Sequence, residues 1–288
     1  SYIDVVDNYG SFGDLLSGLS GDNSSDVFTM SADSTCPMGH YLEVDLAVTA
    51  DGGYTADLSF NLTVGDRAIF FFEDFSLEQG WTIYPGEAEW QIAEAVGGDG
   101  GSGNDDPADD HTPGADKWLL GNDLTSSGTY SNNIDSTEYV YSPEIDCADV
   151  TGVILTYYHQ LGVESSTYDH AYFEAYDGTE WIELYHNGGT ISESGWTEDV
   201  YDLSAIADNN PFFQLRWGLG PTDGSQVYGG WNIDDIELKG YVSNTAGSAN
   251  LEYDPLELSD SLLEGDNAVH DITVNNTGEG NLRIRFTP

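Results

Sequence analysis

The side chains of this chain that could do chemistry are mostly oxygen-bearing, and they gather in four stretches. These are Phe72-Glu73-Asp74-Phe75, Asn104-Asp105-Asp106-Pro107-Ala108-Asp109-Asp110-His111, Tyr168-Asp169-His170 and Trp231-Asn232-Ile233-Asp234-Asp235-Ile236. A hard cation such as calcium takes about six to eight oxygens at roughly 2.3–2.6 Å, from carboxylates, amides and backbone carbonyls, and Asp- and Gly-rich loops provide them. No CxxC or Cys/His spacing offers a soft ligand set, which argues against zinc. Each stretch also has a plain reading. Asp234-Asp235 is an acidic pair near a strand end, and the segment from Gly97 to Asp116 is an unstructured acidic tract. Its GGDGGSGND run looks like one calcium-binding nonapeptide repeat, which means little without stacked neighbours. Only convergence of the separate stretches makes a site.

Other chemistry is poorly supported. The cysteines, Cys36 and Cys147, sit far apart, and a catalytic Cys–His pair would need an oxyanion hole that no motif here predicts, even with His40 close to Cys36. Two small buried thiols is one reading; a single bridge formed in an oxidising compartment is the other. Any chain with 52 Asp and Glu contains candidate carboxylate pairs for glycoside hydrolysis, so such pairs carry little weight. The expectation is a protein that is not an enzyme. Against those 52 acids stand 6 Lys and Arg, a formal charge of −46. That excess disfavours nucleic acid and anionic membranes, which require cationic footprints. The acidic surface is salt-adapted, or gathers divalent cations, or both. Self-repulsion at this charge destabilises a compact state unless counterions or metal offset it.

The elements that must position these acids read as strands. Hydrophobic residues make up 39% and aromatics 12%, enough for real cores and unlike a disordered acidic chain. Leu42, Val44, Leu46 and Val48 alternate with polar or small residues, as do Leu58, Phe60, Leu62 and Val64 after the turn Asp51-Gly52-Gly53. This predicts a hairpin with one wet face. With short segments at Ile3 to Val6 and Val27 to Met30, residues 1–66 suggest four strands of an immunoglobulin-like sandwich that usually needs about seven. From residue 67 to 241 the texture is aromatic-rich, with strands expected at 68–72, 89–95, 117–120, 138–141, 153–159, 171–176, 181–185, 196–202, 212–218 and 231–238. Residues 203–207 read as a single helical turn. Many strands without helical period predict an all-β chain whose centre is a jelly-roll sandwich. Its first and last strands carry two of the acidic stretches and would be neighbours if the ends pair. Residues 241–250 read as a linker, and 250–288 as the start of an immunoglobulin-like module, with strands at 251–258, 269–274 and 282–286.

The order of FEDFSLEQGWT, DDHTPGADKWLLGN, YVYSPEID, YDHAYFEAYDGTEWIEL, GWTEDVYDLSAIA and GGWNIDDIEL over roughly residues 70–240 resembles the MAM-like jelly-roll family. That family includes the cleaved adhesin domains of gingipain-type secreted proteases. The flanking segments resemble partial Ig-like modules of large secreted bacterial proteins. The resemblance implies a jelly roll, calcium where the first and last strands meet, and adhesive or accessory work. Matched motif by motif, it implies Glu73 and Asp235 as the best ligands. Asp74, Asp110, His111 through its carbonyl, and Asp234 come next; Asp169 is a weaker match that could instead orient a turn.

The functional expectation is a secreted, cell-surface module for adhesion or structure that binds Ca2+. Alternatives are a non-catalytic segment of a gingipain-like cysteine peptidase and a carbohydrate-binding module, with Tyr130 and Tyr228 as contact candidates. The partners expected are other copies of the chain, a surface protein or a glycan. The roughly four strands in front and three behind also suggest a homopolymer, each tail completing the front module of the next subunit. Truncation of a longer chain explains the same count. No apolar run reaches the roughly 18 residues of a membrane span. The first residue is not Met and no signal peptide shows, so the chain reads as a mature product or part of a longer one. Sequons at Asn23, Asn61 and Asn275 support glycosylation weakly.

Overall fold

The computed structural model describes residues 2–16, 19–77, 80–112 and 116–243, and the backbone of 251–254 and 273–276. The chain divides into two compact units, residues 1–66 and 67–288. In the first, β1 (Ile3–Asp7) pairs antiparallel with β2 (Thr29–Ala32), and β3 (Tyr41–Ala50) with β4 (Tyr54–Thr63). The expected hairpin is present. Leu42 faces Leu62, Val44 faces Phe60 and Leu46 faces Leu58, so one face is apolar. Gly52 and Gly53 both hold positive φ in the turn, a conformation that glycine adopts without steric cost. The two pairs are separate two-stranded sheets, and none of the described residues of this unit is buried.

The second unit contains a two-sheet sandwich. Its strands are β5 (Ala68–Glu73), β6 (Thr82–Ile83), β7 (Trp90–Glu94), β8 (Trp118–Asn122), β9 (Glu138–Tyr141), β10 (Val150–Val163), β11 (Ala171–Tyr176) and β12 (Trp181–His186). They continue as β13 (Ile191–Ser192), β14 (Thr197–Asp202), β15 (Gln214–Leu219) and β16 (Gly230–Val242), with a single turn of helix, α1 (Ser204–Ala207), after β14. One sheet of seven strands runs β13-β10-β16-β8-β7, with β14 also on β10 and β5 also on β16; the other, of five, runs β12-β11-β15-β9-β6. The all-β expectation holds. β10 and β16 extend beyond the apolar runs that predicted them, and β6 and β13 are two-residue strands too short to show a period. Tyr241 and Val242 belong to β16, not to a linker. β17 (Leu251–Asp254) and β18 (Thr273–Asn276) pair antiparallel. The strand expected at 282–286, and most of the tail module, lie outside the described residues.

The period-two pattern of β10 aims Val153, Leu155, Tyr157, Leu161 and Val163 into the interior, all buried. Across the interior, Phe173 of β11 stacks on the fully buried Trp217 of β15 at 4.5 Å, and Tyr157 meets Trp217 edge-on at 5.4 Å. His159 also points inward. Its Nδ1 lies 3.2 Å from Glu193 and its Nε2 3.3 Å from Asp199.

Candidate functional site

The site is built around a discontinuity in the seven-stranded sheet. On one side β16 runs against β10. On its other side the partner changes: Asn232 and Ile233 face Gly121 and Leu120 of β8, while Ile236 to Gly240 face Glu73 to Ala68 of β5. Asp234 and Asp235 fall in the gap between the two partner strands. The register to β10 shifts at the same place, between the pairs Thr156–Glu237 and Tyr158–Asp234, and Asp235 adopts φ 48°. This is a β-bulge, which re-aims side chains where a ladder is interrupted.

Trp231, Ile233, Ile236 and Leu238 of β16 face the core. Strand alternation therefore sends Asn232 and Asp234 to the opposite face, where the loop from Gly97 to Thr112 covers them. That loop is packed against the sheet. Its Asp99 amide bonds Ser127 O, its Ser102 amide bonds Val227 O, and Gln160 Nε2 of β10 donates to Asp105 O at 2.7 Å. Asp234 Oδ2 accepts the amides of His111 (2.9 Å) and Thr112 (3.2 Å). Asp235 Oδ2 lies 2.6 Å from His111 Nδ1, and its Oδ1 accepts the Thr112 hydroxyl. The His111 ring stacks on Tyr158 with centroids 3.5 Å apart. Further along the loop, Asp106 Oδ1 accepts Asn232 Nδ2 at 3.0 Å. A Cβ at Gly128 or Gly229 would collide with the Asp106 carboxylate, so both glycines leave room for it.

The electrostatics of this region are unbalanced. Asp234 is fully buried, and burial, then the neighbouring Asp235 charge, pushes its carboxyl up to about 8, although its amide donors pull the other way. Asp106 is raised to about 7, chiefly by burial. Asp110 is raised to about 6 by burial, then by Asp116, Asp235 and Asp109. Four buried oxygens under this one loop, Asp106 Oδ2, Asp110 Oδ2, Asn232 Oδ1 and Asp234 Oδ1, have no hydrogen-bond donor. Buried polar atoms are normally satisfied. Carboxylate and amide oxygens lacking donors are what an oxygen-seeking cation could complete, although the acidic group whose ligand atoms lie within 4.8 Å of one another is a different one among the described residues.

Of the residues singled out from sequence, Asp110, His111, Asp234 and Asp235 meet at the bulge. Glu73 ends β5 opposite Ile236, beside Asp235 along β16. Its buried carboxylate accepts the Phe75 amide at 2.9 Å and Trp81 Nε1 at 2.8 Å. Asp74 closes the following turn by accepting from Ser76 N and Oγ. Asp106 and Asn232 were not singled out; Asn232 could have been, since it shares the face of Asp234 at period two. Asp169 belongs to a different group. Its Oδ2 accepts the Tyr130 hydroxyl at 2.5 Å and its Oδ1 the Asp223 amide at 2.9 Å. Glu164, Asp169 and Asp223 offer oxygens all within 4.8 Å of one another and could hold a metal ion. The expectation that Tyr130 and Tyr228 contact a sugar is corrected: both are buried, Tyr130 at 1% exposure because its hydroxyl serves Asp169 inside the fold.

No family model and no curated protein matches the chain. Among solved structures it is similar to the K1 cleaved adhesin domain of Lys-gingipain from Porphyromonas gingivalis W83, at 14% identity and a TM-score of 0.37, over 61% of this chain and 99% of that one. The K3 domain of the same protein gives 14%, 0.33, 60% and 100%. The CBM22-1 xylan-binding domain from Paenibacillus barcinonensis Xyn10C gives 12%, 0.32, 61% and 96%. Values this low transfer no function.

Proposed function

We propose that this protein is a non-catalytic, extracellular adhesion or binding module whose sandwich is locked by calcium beneath the loop of residues 97–112. The observation that carries this reading is the set of four donorless buried oxygens on Asp106, Asp110, Asn232 and Asp234. Among the described residues, Lys117 is the only Lys or Arg paired with an acid of this loop, and its partner is the exposed Asp109. A divalent cation would neutralise the buried carboxylates and join the loop to β16 at the break between β5 and β8. Asp234 would be a direct ligand, and Glu73 and Asp235 would border the site. The test is calorimetric titration of chelator-treated full chain with Ca2+. Loss of one bound ion per chain in Asp234→Asn supports the reading; an ion count and a calcium-dependent melting shift unchanged in Asp234→Asn overturn it.

A second reading, glycan binding, rests on the outer face of the five-stranded sheet. Tyr139, Tyr141, Tyr176 and Trp181 line that face around Arg216, whose guanidinium lies 3.9 Å from the Tyr139 ring centre and 4.1 Å from that of Trp181. Glu174 anchors Arg216 through an ion pair. Aromatic rings flanked by fixed polar groups suit sugar stacking and hydrogen bonding. A glycan array probed with native chain and Trp181→Ala would support this reading by a signal lost in the variant, and remove it by no signal for either. Assembly through donated terminal strands belongs to the same proposal and is supported by the open apolar face of the β3–β4 hairpin, where Leu58 is 55% exposed. A concentration series in size-exclusion chromatography that shows only monomer would remove it.

A further inference from the structure

Outside the loop site, the described residues hold a further concentration of buried acid. Glu164 follows β10 directly, Asp169 lies in the turn before β11, and Asp223 lies in the connection from β15 to β16. The chain brings them together from three separate places. Glu164 is 7% exposed, its Oε1 accepts Gln226 Nε2 at 3.2 Å, and its Oε2 is buried with no partner. Asp169 is fully buried with donors on both oxygens, Tyr130 and the Asp223 amide. Asp223 Oδ1 accepts Ser225 N at 2.8 Å and Oγ at 2.7 Å, which fixes the orientation of its carboxylate. Among the described residues, no Lys, Arg or His ion pair reaches any of the three.

We infer that Glu164, Asp169 and Asp223 form a second calcium site, separate from the bulge site, that fastens the β15–β16 connection to the turn between β10 and β11. Two observations favour a cation over a proton shared among the acids. Both Asp169 oxygens already receive O–H or N–H donors, the arrangement that suits an ionised carboxylate. The unpartnered Glu164 oxygen is buried within the same cluster. The three carboxylates each offer an oxygen within 4.8 Å of the others, close enough to share one ion, and an all-oxygen set suits a hard cation such as calcium. Asp223 is only half-buried, so water can complete the coordination shell. Gln226 and Tyr130 would be the outer partners that hold the ligands in place, the usual second layer of a metal site.

The experiment is equilibrium titration of chelator-treated full chain with Ca2+, repeated with Tb3+ read by luminescence through tyrosine excitation, since Tyr130 contacts the site. The double variant Glu164→Gln/Asp223→Asn should bind one ion fewer per chain while keeping the Asp234-dependent ion, with an unchanged far-UV spectrum. Gln226→Leu, outside the ligand set and gentler on folding, should weaken the same ion by about tenfold. Asp234→Asn should remove the other ion and leave this one, so the two sites fail separately. Unchanged ion count in the double variant together with unchanged affinity in Gln226→Leu overturns the inference.

Discussion

The β3–β4 hairpin and the β10 strand carry the same alternation of apolar and polar residues, but the two regions put it to different use. In the hairpin, Leu58, Phe60 and Leu62 stay between 37% and 55% exposed, and none of the described residues of that unit is buried. In β10, Leu155, Tyr157 and Val163 are fully buried because the five-stranded sheet lies across from them. Alternation is sufficient to form a ladder. An interior requires a second layer, and in the described residues only the sandwich has one. The acids divide the same way. In the first unit they are solvated turn residues, such as Asp33 accepting from Thr35 at 2.8 Å. In the sandwich several are walled in, and there their charge becomes a structural problem that a cation can resolve.

The largest test of this contrast compares Trp217→Ala with Phe60→Ala. The first empties a fully buried site and should cost about 3–5 kcal/mol in denaturant unfolding. An equal cost for both would break the comparison. Next comes metal. At calcium about a hundredfold above its dissociation constant, chelation should remove roughly 2.7 kcal/mol from the sandwich. It should leave hydrogen exchange in the β3–β4 hairpin unchanged, and Asp234→Asn should abolish the part of the chelator effect that comes from the bulge site.

The pH response should also differ in sign between the units. In the metal-free sandwich, Asp106, Asp234 and His159 all have folded values above their unfolded ones. Burial pulls the His159 imidazolium down, but Asp199 and Glu193 raise it further, to about 9. A raised value means the contribution is fully present below the unfolded value and lost as pH rises through the folded one. The metal-free sandwich should therefore become more stable from about pH 9 down to about pH 5, and calcium should flatten that slope. In the first unit, hydrogen bonds from Ser24 and Thr35 hold Asp22 and Asp33 below the usual carboxylate range. Their contribution is present above about pH 4 and lost on further acidification. Amide exchange followed region by region across pH would detect both trends; a sandwich that loosens steadily from pH 9 to 5 would contradict the first. The smallest effect is expected for Phe60→Ala, about 1 kcal/mol or less, since the ring is already 43% exposed.

The residues that meet at the bulge stood out in the order of residues, because Asp110, His111, Asp234 and Asp235 occur in two short acidic runs, one in a loop and one within β16. Asp106 lay in the same run and Asn232 two positions before Asp234, but nothing local distinguishes a buried acid from a solvated one. Glu164 and Asp223 gave no signal at all. They are 59 positions apart, and only the path of the chain between β10 and β16 joins them with Asp169. Tyr130 and Tyr228 misled for the same reason: a tyrosine in a polar loop looks exposed until the loop folds over it.

Residue order by itself determined what local geometry can: the strand periods, the Gly52-Gly53 turn, the all-β class and the excess of oxygen ligands over cations. These depend on neighbours one to four positions away. The bulge at Asp235, the exchange of β8 for β5 along β16, and the choice of which carboxylates lose their water were decided by tertiary packing. Burial and through-space charge act between groups that sequence separation does not bring together, and those two forces make some acids here candidates for metal and leave the others at the surface.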